Sequence, residues 1–113
     1  MNWYIAKIIF QIKSEGMQRH QFDEHLRLIE AENFEEAFLK ARMVGIAFEE
    51  SVINQQHGIV QWEFVNVADL RPMKMKSGTE LHSQVREMDE STNYISYIHN
   101  QAARMQLSAK PVF

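Results

Sequence analysis

Five histidines and fifteen carboxylates are the side chains of this 113-residue sequence that could bind a metal or move a proton. His20 and His25, with Asp23 and Glu24 between them, form the densest group. Two imidazoles meet one ion when they share a face, as His at i,i+4 on a helix does. Positions five apart on an extended strand point to opposite faces, so His20 and His25 do not converge. The spacing predicts solvated strand residues and no metal site. His57, His82 and His99 stand alone, each a surface or partly buried histidine. Cysteine is absent, which removes disulfides, thiol catalysis and thiolate ligands. No phosphate-binding or cofactor motif is present, and no catalytic triad can be assembled from the linear order.

Glu49 and Glu50 are the carboxylates whose placement raises a question. They close a run of helical spacing, where the macrodipole is negative and a carboxylate is unfavourable. A compensating cation is expected there, with Lys7, Arg27 and Arg42 as candidates. A salt-bridged or solvated helix end is the simpler reading. The chemical reading is a polar pocket in which Tyr4 and Trp62 make an aromatic wall beside Lys7, Glu49 and Glu50. Arg71, Lys74 and Lys76 form a short basic run interleaved with Met73 and Met75. Net charge is −3, and Glu87, Asp89 and Glu90 follow that run, so a solvated linker is expected and nucleic acid is not.

The element that positions these groups is a helix over 33–51. Asn33 suits an N-cap, Glu36 stands three residues on as in a capping box, and Glu36–Lys40 is a favourable i,i+4 pair. Phe34, Phe38, Ala41, Gly45 and Phe48 step by four and three, with Ala37 and Val44 widening the apolar stripe. Residues 3–13 read as a central strand whose even positions, Tyr4 to Ile12, are all apolar. Residues 14–19, with Gly16, read as a hairpin connection to a strand over 21–31. That strand carries Phe22, Leu26 and Leu28 on one face, with Glu24 interrupting it. Residues 54–58 are turn-like. A third strand follows over 59–70, with a phase drift that predicts a β-bulge near Asn66 and with Pro72 ending the run. Its inward candidates after the drift are Val65 and Val67, or Ala68 and Leu70. Residues 79–88 alternate weakly as an edge strand. A second helix is expected from Ser91 or Thr92, with Ile95, Ile98, Ala102 and Met105 in a narrower stripe, before a tail that includes Lys110, Pro111, Val112 and Phe113.

These elements predict an α+β fold in the order β-β-α-β, with a mainly antiparallel sheet of three or four strands and one main helix on one face. Ferredoxin-like is the nearest named shape, by analogy. Residues 1–72 form the compact core. Residues 73–113 form a β-α extension, either part of the same domain or mediating oligomerisation. Composition, 45% hydrophobic and 24% charged, is that of a soluble globular chain. No leader pattern or run of about 18–20 apolar residues is present, so a cytoplasmic, membrane-free protein is expected.

Trp3-Tyr4 with Ala6-Lys7, Ala31 before the Glu-rich Ala37…Ala41 helix, and Glu49-Glu50-Ser51 form one set of residues. Gly58, Trp62, Phe64, Val67 and Asp69-Leu70 complete it. On these the first 70 residues resemble the DUF4288 domain, a family of small bacterial proteins of unknown function. The resemblance implies kinship of fold and brings no activity, substrate or cofactor.

Two functions follow. One is a non-enzymatic interaction or oligomerisation module. Ile5 and Ile9 leave the second sheet face apolar, so the C-terminal helix or a second copy in a symmetric homodimer must cover it. The other is a small-molecule-binding protein or small enzyme using the pocket of Tyr4, Lys7, Glu49, Glu50 and Trp62.

Overall fold

The computed structural model describes residues 1–16, 18–56 and 60–108, with side chains from 53 to 56 excepted. Of the turn expected over 54–58, residues 54–56 are helical instead, while His57 and Gly58, like the tail from Lys110 to Phe113, lie outside the described residues. The chain divides into two compact units, Met1–Leu81 and His82–Phe113.

The first unit contains β1 (Asn2–Ser14), β2 (Gln21–Ala31), α1 (Phe34–Gln56) and β3 (Val60–Met73). The sheet order is β2-β1-β3, with both pairings antiparallel. β1 is central, as expected of a strand with one apolar face and one mixed face. Its even positions Tyr4, Ala6, Ile8 and Phe10 are buried. Gly16 turns the β1–β2 connection at φ 77°, a left-handed conformation that glycine adopts without steric cost.

α1 starts as its cap predicts. Asn33 Oδ1 accepts from the Glu36 amide at 2.8 Å, and Glu36 reaches back to the Glu32 amide at 3.0 Å. Lys40 Nζ lies 3.2 Å from Glu36. Ala37, Ala41 and Gly45 are buried against the sheet, because small residues let the two backbones approach. The helix continues to Gln56, past the expected end at Ser51. Residues Val52–Gln56 contain no glycine or proline, so nothing in them stops it.

β3 departs from expectation at both ends of its pattern. Two register shifts, rather than one, flank Asn66. Ile9 pairs with Asn66 and Phe10 with Phe64, which leaves Val65 unpaired. Lys7 pairs with Asp69 and Ile8 with Val67, which leaves Ala68 unpaired. Val67 and Leu70 therefore turn inward while Val65 and Ala68 are exposed. Pro72 does not end the strand, which runs on to Met73. β3 is an edge strand, and there a missing N–H costs no ladder bond.

The second unit contains α2 (Ser91–Ser108), in which Ser91, expected as a cap, is already the first helical residue and no residue is buried. The edge strand expected over 79–88 is not formed. A single weakly alternating run has no neighbouring strand to complete its hydrogen bonds.

Candidate functional site

The five residues of the expected pocket do not converge. Tyr4 is buried at the helix N-terminal end, edge-on to Phe34 with centroids 6.4 Å apart. Trp62 pairs with Ile12, eight positions further along β1, which at 3.3 Å per residue is about 26 Å away. Lys7 lies on the other face of the sheet, 3.9 Å from Glu24. Glu50 is exposed. Glu49 and Trp62 do share one end of the helix-covered face.

Glu49 finds a partner of a different kind from the expected cation. Its Oε2 accepts from the Phe64 amide at 2.5 Å, beside the Val65 bulge. β3 is an edge strand, so this amide faces away from β1, and the carboxylate occupies it. The helix dipole has little effect on Glu49, since α1 ends at Gln56 and the dipole's influence fades within the last turn.

A group that sequence reasoning placed in solvent lies beside it. On β2 the residues facing α1 are Asp23, His25, Arg27, Ile29 and Ala31, which pair with the buried even positions of β1. Arg27 Nη2 meets His25 Nδ1 at 3.1 Å, His25 Nε2 meets Asp23 Oδ2 at 2.8 Å, and Trp62 Nε1 donates to the same oxygen at 3.1 Å. The His25 ring packs on Phe10 and Phe48 at 4.7 and 4.8 Å, and the Arg27 guanidinium lies 5.5 Å from the Phe48 ring centre. Burial raises the Asp23 pKa. Hydrogen bonds from His25 and Trp62, with the charges of His25 and Arg27, outweigh it and hold the carboxyl below its ordinary value. Both ring nitrogens of His25 are engaged, and this chain of bonds links β2 to β3 across β1. Among the described residues no group of three metal-ligating side chains forms.

The opposite, helix-free face has another character. Phe22, Leu26 and Leu28 of β2 point outward and are 59, 48 and 49% exposed. Ile5, Leu26, Leu28, Met73, Met75 and Leu81, together with Arg27, line a mainly apolar groove of about 290 Å³. Its charges are matched locally. Lys7 faces Glu24, Lys13 lies 2.8 Å from Glu63, and Arg71 lies 3.1 Å from Asp69.

A family model described as a domain of unknown function, DUF4288, matches residues 3–83. The chain belongs to the DUF4288 family. The DUF4288 match takes in all three strands and α1, and continues past the stretch of 1–70 on which the resemblance was read. No curated protein and no solved structure matches the chain. Among the described residues, no helix is long and apolar enough to cross a membrane.

Proposed function

We propose that this DUF4288 chain is a non-enzymatic self-association module, in which a second copy covers apolar surface on the β1–β2 side of the sheet. The observation that carries the reading is the row Phe22, Leu26 and Leu28, half-exposed beside the apolar groove. Burying apolar surface is worth roughly 25 cal/mol per Å² removed from water, so an exposed row of this kind favours association. The paired charges of the same face favour a copy of this chain over a strongly charged partner. With each cation already beside a carboxylate, two copies come together on this side of the sheet without like-charge repulsion.

The test is sedimentation equilibrium on the protein and on a Leu26→Glu, Leu28→Glu variant. Both side chains are about half exposed, so the folded monomer tolerates the change. The protein is expected to associate and the variant to sediment as a 13.3 kDa monomer. Equal association of the two would contradict the reading.

A further inference from the structure

The two edges of the sheet are treated differently. On β3 the Phe64 amide is taken by Glu49, the Val67 amide by Asn66 Oδ1 at 2.8 Å, and the Leu70 amide by Asp69 Oδ1 at 3.0 Å. Pro72 has no amide to offer, and the two bulges break the regular spacing that an added strand needs. Among the described residues no side chain takes a β2 amide. β2 is unbroken through its eleven residues, without a bulge, proline or lysine. Lys40 Nζ covers one carbonyl near its end, that of Glu30, at 2.9 Å.

We infer that β2 is the pairing edge of this protein, and that a second copy adds there, β2 against β2, antiparallel across a two-fold axis, to make a six-stranded sheet. This rests on the self-association reading for the second copy and places it at the sheet edge: the helix-free faces of the two copies continue side by side, so Phe22 and Leu28 meet across the seam while the groove beside Met73 stays open. A two-fold axis perpendicular to the sheet keeps each residue on its own face, so it passes through a single position of β2. An axis at Glu24 sets that carboxylate against its own copy. One at Arg27 sets guanidinium against guanidinium, and one at Leu26 places Phe22 against Glu30. An axis at His25 sets imidazole beside imidazole and Glu24 opposite Leu26 of the second copy, but it alone places Asp23 opposite Arg27 of the second copy and Phe22 opposite Leu28 of the second copy, each pair occurring twice.

The first pair is an opposite-charge contact on the helix side, and the second an apolar contact on the helix-free side. Cross-strand pairs of both kinds stabilise antiparallel sheets. Arg27 gives one contact to His25, and a guanidinium has five donors. Asp23 engages its Oδ2 with His25 and Trp62, which leaves Oδ1 for the facing cation.

Amide hydrogen exchange on the full chain, at two concentrations two orders of magnitude apart, tests this geometry. Light scattering on the same samples gives the mass. If the mass doubles at the higher concentration, alternate β2 amides are expected to exchange about tenfold more slowly there, with Phe64, Val67 and Leu70 unchanged. A doubled mass with unaltered β2 exchange overturns the edge geometry while leaving self-association standing. A mass that stays monomeric at both concentrations overturns both.

Discussion

Glu49 and Glu50 are adjacent in sequence and opposite in consequence. Glu49 closes an outward-facing amide of the β3 edge, while Glu50 points into solvent. An unsatisfied, partly buried amide costs about 1–3 kcal/mol. Glu49→Ala is therefore expected to lower stability by about 1–2 kcal/mol, with Glu50→Ala within about 0.5 kcal/mol of the parent; urea denaturation measures both. Asp23 belongs to the same scale. Its carboxyl titrates lower in the folded chain than in the unfolded one, so the unfolded chain takes up the proton first as pH falls. Its contribution is present in full above the ordinary aspartate value and fades below about pH 4. Asp23→Asn should cost about 1 kcal/mol at neutral pH, discounted for partial exposure, and the gap to the parent should close as the pH drops through that range. Denaturation curves of both proteins at neutral pH and below the aspartate range measure the gap. A gap that widened in acid would refute this account of Asp23.

At the scale of elements, α1 was readable because its signals are local. The Asn33 cap, the Glu36–Lys40 pair and the small residues Ala37, Ala41 and Gly45 act within a few turns of one another. Gly45 carries the tightest contact. A Cβ there would overlap the Phe64 ring and lie 3.1 Å from Ile8 Cγ2. Alanine is favoured over glycine within a helix by about 1 kcal/mol, yet overpacking of this kind costs about 1–3 kcal/mol. Gly45→Ala is expected to be net destabilising, with Phe64→Leu in the same chain recovering part of the loss in thermal melts. β2 was read in its bounds but not in its orientation. Hydrophobic alternation follows Phe22, Leu26 and Leu28, and those residues face away from the helix. The inward positions Asp23, His25 and Arg27 are polar because they satisfy one another and Trp62 beneath Phe48. That closure crosses from β2 to β3 and so leaves no local signal. The signal within reach was the i,i+2 spacing of Asp23, His25 and Arg27, which places an acid, an imidazole and a base on one strand face. The drift of β3 past Phe64 betrayed a bulge but could not count two, and Pro72 reads as a stop only where the strand is interior.

For the whole molecule, the expected pocket required residues from both ends and both faces of the sheet to meet. Strand spacing keeps Tyr4 far from Trp62, and pleating sends Lys7 to the other side. The expectation of an uncovered apolar face followed from a count of elements, one main helix for two sheet faces, and the exposed Leu26 and Leu28 lie on that face. Self-association through this surface is checked by light scattering of the intact protein over a dilution series. The mass is expected to rise with concentration from 13.3 kDa towards twice that value. A mass fixed at 13.3 kDa across the series would contradict it.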